Sequence, residues 1–159
     1  NCGPASLAEV LHYWGIERTQ GQLAFLRHGN PSGMSTNDVT DYVQGLGLRE
    51  FIANQGNQDV IKALVANGFP VIVAQYVSAS EPDDHFRPIE AYDDAGQYFL
   101  SSDPLLGTGY RISYQQFDQL WQHYDRNFMV IYPPGRQQAL DGVLALTAFQ
   151  GPSWMTPAS

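Results

Sequence analysis

Residues 1–6 read NCGPAS, and Cys2 is the only cysteine among the 159 residues of the chain. Pro4 suits the first turn of a helix, because its fixed backbone angle and missing N–H cost nothing there. The apolar residues that follow at helical spacing are Leu7, Val10, Leu11 and Trp14. A thiol at the start of a helix lies near free backbone N–H groups and the positive end of the helix dipole, which favour the thiolate. The pattern therefore predicts a helix that begins at Cys2 and presents a nucleophile.

The composition limits the classes of partner. The chain is 43% hydrophobic and 15% charged, which is typical of one folded domain with a proper core. It has 8 basic and 16 acidic residues and a formal net charge of −8, and such a surface repels the phosphates of nucleic acid. No apolar run approaches the roughly 18–20 residues that cross a bilayer. A single cysteine can form no intrachain disulfide and is a poor start for a metal site, so we predict neither a metal nor another cofactor.

The order of the predicted elements indicates the fold class. Five segments have helical features: 2–14, 20–27, 35–46, 57–67 and 113–124, with a possible sixth at 137–148. In the third of these, Ser35 and Asp38 resemble a capping box. Five segments have the composition of strands: 49–53, 71–77, 86–92, 98–102 and 128–132, and the polar residues 78–84 predict a loop. Because helices come first and strands later, we predict an α+β fold with an N-terminal helical layer on an antiparallel sheet.

Four histidines are candidates for the base that would activate the thiol: His12, His28, His85 and His123. His12 lies ten residues into the helix of Cys2, about 15 Å along its axis, which is too far for contact. His28 and His123 fall at helix ends, where histidines usually complement the helix dipole or remain solvated. His85 starts a strand whose hairpin partner ends at Asp103. We therefore select His85, with Asp103 as the carboxylate that would orient its ring.

The hairpin register decides whether His85 and Asp103 share a face. A turn centred on Asp94 and Ala95 pairs residues whose numbers sum to 188–190, which puts His85 opposite residues 103–105. An even sum places both side chains on one face, whereas a sum of 189 points them apart. Pro88 predicts a bulge or an exposed edge in this strand, because proline cannot donate to a ladder. Spacing alone leaves two interpretations open: a catalytic triad, or an inert buried cysteine with a structural histidine.

Several motifs, taken in this order, resemble those of the papain-like peptidases that cleave double-glycine leaders from bacteriocin precursors. The resemblance is closer still to the bacterial peptidase-like domains related to them, and it covers roughly residues 1–133. The matching motifs are NCGPASL at 1–7, HF at 85–86, AYDD at 91–94, SDP at 102–104 and a closing ISY pattern at 112–114 with Phe117 and Trp121. The resemblance implies a papain-like domain over residues 1–134, and we assign residues 135–159 to a C-terminal helix and a tail or linker.

The resemblance also implies a role for each site residue. Carried over by motif, Cys2 is the nucleophile, His85 the general base and Asp103 the orienting carboxylate of a cysteine peptidase or amidase. The family has a glutamine a few residues before the cysteine that donates to the oxyanion, and only Asn1 precedes Cys2 here. We expect a complete site if that glutamine lies upstream, and a rate lower by about 10²–10³ if it is missing. The implied partner is a peptide or protein substrate.

Three other functions remain open at this point. In the first, the domain is catalytically idle and binds peptides in its groove. In the second, the same triad passes an acyl group to an amine. In the third, removal of Asn1 makes Cys2 an N-terminal nucleophile that does not need His85. Residues after Pro134 could lead into a C-terminal interaction domain. An upstream signal peptide would place the protein in the bacterial cell envelope or outside the cell, and otherwise it would be cytoplasmic.

Overall fold

The computed structural model describes residues 2–28, 34, 36–147 and 149, with six α-helices and seven β-strands in that part of the chain. The helices are α1 (Cys2–Tyr13), α2 (Gln20–Leu23), α3 (Thr36–Gly45), α4 (Gln58–Ala66), α5 (Tyr114–Trp121) and α6 (Gln137–Ala145). The strands are β1 (Arg49–Ala53), β2 (Val71–Ser78), β3 (Glu81–Ile89), β4 (Ala91–Asp93), β5 (Tyr98–Asp103), β6 (Gly107–Ser113) and β7 (Phe128–Tyr132). The predicted α+β class is confirmed.

A four-stranded antiparallel sheet in the order β1-β7-β2-β3 forms the centre of the molecule. All five residues of β7 are buried, because this strand has a neighbour on each side and packed side chains on both faces. In the described part of the chain, β3 lies at the edge of the sheet and pairs only with β2, with Gln75 opposite His85 and Ile72 opposite Pro88. Pro88 therefore lies in an edge strand, as its missing N–H predicts.

The N-terminal helices cover one face of this sheet. Leu7, Val10 and Leu11 of α1 pack with Val39 and Val43 of α3 in one hydrophobic cluster. The sheet contributes Ile72, Met129 and Ile131 to the same cluster. This layer fixes the orientation of α1 and, with it, the position of Cys2.

The opposite face of the sheet carries the aromatic core. Phe117 and Trp121 of α5 pack against each other, and Phe117 also packs on Phe99 of β5, with ring centroids 5.1 and 4.4 Å apart. α6 contributes Leu140 and Val143 to the same cluster.

The predicted domain boundary at residue 134 stays a prediction. Within the described residues, no helix has the length and apolar character that crossing a membrane requires.

A second antiparallel sheet, in the order β4-β5-β6, continues from the edge of the first. The backbone N–H of Glu90 donates to the carbonyl of Leu100 at 2.9 Å, and this bond joins the end of β3 to β5. The chain therefore passes from one sheet to the other at Glu90. This junction sets the position of β5 relative to β3.

Three predictions about the strands are wrong in detail. Residues 81–84, predicted as loop, form the start of β3, whose first four residues are exposed at the sheet edge where polar side chains are tolerated. The predicted strand 86–92 is divided at Glu90 between the two sheets. The hairpin pairs Tyr92 with Phe99, a sum of 191, instead of 188–190. β6 was not predicted, because Gly107 and Gly109 weaken the strand pattern.

The helix predictions agree with the structure except at their ends. Residues 20–27 are α2 followed by a 3₁₀ turn (Ala24–Arg27), and residues 113–124 are α5 with a similar extension (Gln122–Tyr124). A third 3₁₀ turn (Pro134–Arg136) precedes α6, which ends at Ala145, before the predicted residue 148. Ser113 caps α5 by accepting a hydrogen bond from the Gln116 N–H at 3.1 Å. Ser35 and its predicted capping box lie outside the described residues.

Candidate active site

Cys2 lies in the first turn of α1, which packs against the free edge of β3. The backbone N–H of Phe86 points away from β2 and donates to the Cys2 Sγ at 3.5 Å. One turn further along α1, the Ser6 Oγ donates to the carbonyl of Phe86 at 3.1 Å. Both edge groups of Phe86 are thus satisfied by α1 instead of another strand. These two bonds place the thiol beside His85, the residue before Phe86.

His85 is buried, with 3% of its surface exposed, and its ring lies between Cys2 and Asp103. Its Nε2 is 3.0 Å from each carboxylate oxygen of Asp103. Since a carboxylate can only accept, Nε2 carries the proton, and Nδ1 is the nitrogen left to interact with the thiol. The structure therefore brings together the three residues that the sequence singled out.

Asp103 ends β5 and accepts hydrogen bonds from several directions. Its Oδ1 accepts from the backbone N–H groups of Leu105 and Leu106 at 2.8 and 2.9 Å, which closes the turn between β5 and β6. Its Oδ2 accepts from the Arg87 Nε at 2.6 Å. A shift in the β5–β6 register between Ser101 and Asp103 accompanies this turn. The carboxylate is consequently held at both oxygens.

The face shared by His85 and Asp103 does not come from the predicted hairpin register. His85 belongs to β3 in the first sheet and Asp103 to β5 in the second, so they are not partners in one ladder. Ser101, two residues before Asp103, donates from Oγ to the carbonyl of Pro88 at 2.5 Å and holds β5 against β3. Alternation then turns both Ser101 and Asp103 towards the interior, where His85 lies.

Arg87 is a polar residue of this cluster that the sequence did not identify. It is fully buried and lies two residues after His85 on the same face of β3. The available signal was this spacing, because a charged residue two positions from the candidate base must point to the same side of the strand. From the sequence, only the neighbouring Pro88 indicates a disturbed strand at this point.

The thiol and the imidazole shift each other's protonation. Burial opposes ionisation of Cys2, but hydrogen bonds from His85 and the Phe86 N–H, with the charge of His85, outweigh it and lower the pKa of the thiol. Burial likewise opposes charge on His85, but its hydrogen bonds with Asp103 and Cys2 outweigh burial and raise the pKa of the imidazole. Both shifts favour a thiolate beside an imidazolium.

Asp103 is ionised in this environment. Its burial would raise the pKa of the carboxyl, but hydrogen bonds from His85, Arg87 and the amides of Leu106 and Leu105 outweigh it and hold the pKa far below its usual range. The carboxylate is therefore ionised at neutral pH and accepts from the His85 ring there.

The other three histidines lie away from Cys2 and contact nearby side chains. His12 pairs with Glu17 at 2.6 Å on the surface, His28 pairs with Asp38 at 3.1 Å, and the ring of His123 stacks on Tyr76 at 4.3 Å. Across residues 2–28, 34, 36–147 and 149, no three His, Cys, Asp or Glu side chains are grouped as a metal site would need. A cavity of about 300 Å³ is lined by the second half of α1, residues 68–70 and residues 88–90, and touches none of the three candidate residues.

Comparison with known protein families places these residues in context. The sequence matches the Peptidase C39-like family over residues 1–129, which is most of the chain and includes Cys2, His85 and Asp103. The chain belongs to the Peptidase C39-like family. Family membership and fold together support the class of papain-like cysteine peptidases. A comparison with curated protein sequences found no match.

Solved structures of C39-type domains share the fold at low sequence identity. The peptidase domain of Streptococcus ComA, a bifunctional ABC transporter, is 19% identical with a TM-score of 0.64, covering 83% of this chain and 90% of that chain. A double glycine motif protease from an AMS/PCAT transporter, solved with its leader peptide, is 20% identical with a TM-score of 0.62 and 84% coverage of each chain. A C39-like protein from Bacillus anthracis is 16% identical, with a TM-score of 0.63, covering 82% of this chain and 87% of that chain. At these identities the likeness concerns the fold.

Proposed function

We propose that this C39-like domain is a cysteine peptidase that hydrolyses an amide bond of a peptide or protein through a thioester on Cys2. One observation carries the proposal: the His85 ring contacts both the Cys2 thiol and the Asp103 carboxylate, and the carboxylate lies on Nε2, which leaves Nδ1 for the thiol. This is the order of contacts that nucleophile, base and orienting acid require. The leader peptide bound to the related transporter protease supports a peptide as the substrate class.

Acylation starts from the thiolate of Cys2 and the imidazolium of His85. The sulfur attacks the carbonyl carbon, and the electron pair of the C=O bond moves to oxygen to give a tetrahedral oxyanion. When the oxyanion collapses, the C–N bond breaks and the Nδ1 proton of His85 passes to the leaving amine. The products are a free amine and a thioester on Cys2. Asp103 keeps Nε2 protonated throughout, so the proton moves only at Nδ1.

Deacylation uses the same imidazole as a base. Neutral His85 accepts a proton from water at Nδ1 while the water oxygen attacks the thioester carbonyl. Breaking of the C–S bond releases a carboxylic acid and restores the thiolate beside the imidazolium. One water molecule is consumed and no oxidant, reductant or cofactor enters the reaction.

The start of α1 supplies part of the stabilisation of the oxyanion. Cys2 is the first residue of α1, so its backbone N–H is not used within the helix, and the dipole of the helix favours negative charge at that end. A donor placed where negative charge develops is worth about 10²–10³ in rate.

The proposal is tested with the full-length protein and a mixture of synthetic peptides, with and without a Gly-Gly pair, analysed by mass spectrometry. We expect cleavage by the wild type, and loss of about 10³-fold or more in kcat for Cys2→Ser and for His85→Ala. His12→Ala is the matched control, because His12 is exposed and paired only with Glu17. It should cleave like the wild type.

Two controls separate the rival functions. In water enriched in oxygen-18, hydrolysis puts the isotope into the new carboxyl group. If the enzyme is a transferase, an added amine takes the acyl group instead, and the product is an amide without the isotope. Cleavage that persists in Cys2→Ser would contradict the thioester route. Binding of peptides without cleavage by any preparation of the wild type would favour an idle, peptide-binding domain.

A further inference from the structure

Arg87 has a charged group in a fully buried position, which is rare in proteins and needs specific partners. The guanidinium has three. Its Nε donates to the Asp103 Oδ2 at 2.6 Å, its Nη1 to the Gln75 Oε1 at 2.6 Å, and its Nη2 to the carbonyl of Val77 at 2.8 Å. Every partner lies within the sheet or at the end of β5, so the arginine joins three strands around the candidate base.

The partners of Arg87 are themselves fixed. Gln75 is fully buried and donates from Nε2 to the carbonyl of Phe117 at 2.9 Å, which orients its amide oxygen towards the arginine. The ring of Tyr110 on β6 lies over the guanidinium, with its centroid 5.3 Å from Cζ. A planar group held at three donors and one face cannot rotate without breaking several contacts. The position of its Nε, and therefore of the Asp103 Oδ2, is determined by the fold.

The two carboxylate oxygens of Asp103 accept hydrogen bonds from different donors. Besides His85, which contacts both oxygens, Oδ1 is held by the amides of Leu105 and Leu106, and among the described residues Arg87 is the partner of Oδ2. Without the guanidinium, the carboxylate keeps its turn contacts but Oδ2 loses its fixed position. The ring of His85 would then lose one of the two fixed carboxylate oxygens that orient it towards Cys2.

The charges around His85 add a second consequence. The groups that face it are Cys2 from α1, Asp103 from β5 and Arg87 from β3, and its neighbour on β2 is the uncharged Gln75. The guanidinium opposes the carboxylate and lowers the pKa of His85 relative to a site with Asp103 alone. Because the imidazolium is less stabilised, it gives its proton to the leaving amine more easily.

We propose that Arg87 is a positioning residue, which fixes the Asp103 carboxylate against His85 and offsets part of its negative charge. The inference rests on the proposed function for its kinetic readout. It does not depend on it for the alkylation of Cys2, which needs no substrate. The role is specific to this chain's own cluster of Arg87, Gln75 and Asp103.

The test compares R87K and R87M with the wild type in the full-length protein. Lysine keeps the positive charge but cannot make the three-way set of hydrogen bonds, and methionine removes both. We measure kcat and KM for a cleaved peptide, and the rate of Cys2 alkylation by iodoacetamide as a function of pH. Cys2 is the only cysteine, so alkylation reports this site alone. Arg126→Met is the matched control, since Arg126 makes a two-pronged pair with Asp118 at the surface.

We expect kcat to fall by about 10–100-fold in both variants with KM changed by less than about 3-fold, because the loss concerns orientation of the base. The alkylation profile has an upper transition where the His85 imidazolium loses its proton. In R87M this transition should move to higher pH, because the imidazolium loses a repelling charge. In R87K this transition should stay near its wild-type position. The control Arg126→Met should leave kcat and the profile unchanged.

Unchanged kcat per folded molecule in R87K would overturn the proposal, as would an R87M profile that coincides with that of the wild type. A lower melting temperature with normal kinetics would likewise show that Arg87 only stabilises the fold. If R87M does not fold, the kcat of R87K decides. A wild-type thiol of ordinary pKa would instead overturn the proposed function, and with it this inference.

Discussion

At the scale of single residues, Asp103 is the most constrained group of the candidate site. It accepts from the imidazole, a guanidinium and two backbone amides, all of which are donors. The position therefore requires a side chain that is only a hydrogen-bond acceptor, such as a carboxylate. An amide in this place must point its NH₂ at one of these donors.

We predict that Asp103→Asn lowers kcat for peptide cleavage by about 10²–10⁴-fold, because the amide no longer holds the His85 ring in one tautomer. KM should change little, since Asp103 is 4% exposed and does not reach the solvent where a peptide would bind. Steady-state kinetics measure both constants. The exposed Asp41→Asn is the control, and equal kcat in the two variants would contradict the assigned role.

At the scale of elements, the contact of α1 with the edge of β3 places the sulfur beside the imidazole. Ser6 is fully buried, and its hydroxyl is the side-chain donor to the Phe86 carbonyl. α1 thus covers an edge that would otherwise expose unpaired backbone groups. The same two elements provide the nucleophile and the base.

We predict that Ser6→Ala lowers the free energy of unfolding by about 1–3 kcal/mol, because it leaves a carbonyl without its partner. The rate of Cys2 alkylation at neutral pH should also fall, because the start of α1 is less firmly held beside His85. Urea unfolding and alkylation measure the two effects. Ser80→Ala, at an exposed serine, is the control, and stability equal to the wild type would contradict the importance of this contact.

Two glycines give opposite predictions for the same substitution. A Cβ at Gly56 would lie 2.9 Å from the backbone carbonyl oxygen of Arg126 and from the rings of Phe128 and Trp121. Gly56→Ala should therefore lower the free energy of unfolding by about 1–3 kcal/mol. Gly142 lies inside α6, and such a Cβ would meet no atom within 4 Å beyond its chain neighbours and the backbone of its own helix. Gly142→Ala should raise it by about 0.5–1 kcal/mol. Equal effects in chemical denaturation would contradict this packing.

The sequence predicts most elements because their signals are local. The cap of α5 at Ser113, the apolar run of β7 and the helix stop at Gly47 each depend on neighbouring residues. The register between β3 and β5 could not be predicted, since it depends on the passage from one sheet to the other at Glu90 and on the bond from Ser101 to Pro88. The spacing of Arg87 from His85 is a local signal, but its hydrogen-bond partners could not be predicted, because they are distant in sequence and only the fold brings them together.

At the scale of the whole molecule, the candidate site lies where three layers of the fold meet. The N-terminal helices bring Cys2, the first sheet brings His85 and Arg87, and the second sheet brings Asp103. No one of these layers contains the full set, so the arrangement exists only in the folded protein. The stability of the fold and the protonation of the site are therefore linked.

We predict a characteristic dependence of stability on pH. The raised pKa of His85 contributes stability that is present below about 6.5, the unfolded value, and is lost as pH rises through the folded value. The lowered pKa of Cys2 contributes stability that is present above about 8.5, the unfolded value, and is lost as pH falls through the folded value. Between about pH 6.5 and 8.5 the two slopes oppose each other.

The free energy of unfolding should thus change little across this window in the wild type and decrease with pH in Cys2→Ser, where only the slope of His85 remains. Urea unfolding at several pH values measures it. Below about pH 3.9, stability should fall in both proteins as Asp103, whose folded pKa is depressed, approaches protonation. Parallel curves for the two proteins in the neutral window would contradict the coupling of thiol and imidazole.

The ultraviolet absorbance of the thiolate tests the coupling of Cys2 to His85 most directly, because the chain has a single cysteine and the signal belongs to Cys2. The titration is measured in the wild type and in His85→Ala, with His12→Ala as the control. We predict a thiolate in the wild type and the control well below about pH 8.5, the ordinary value, and a transition at higher pH in His85→Ala. The same transition in all three proteins would contradict the account.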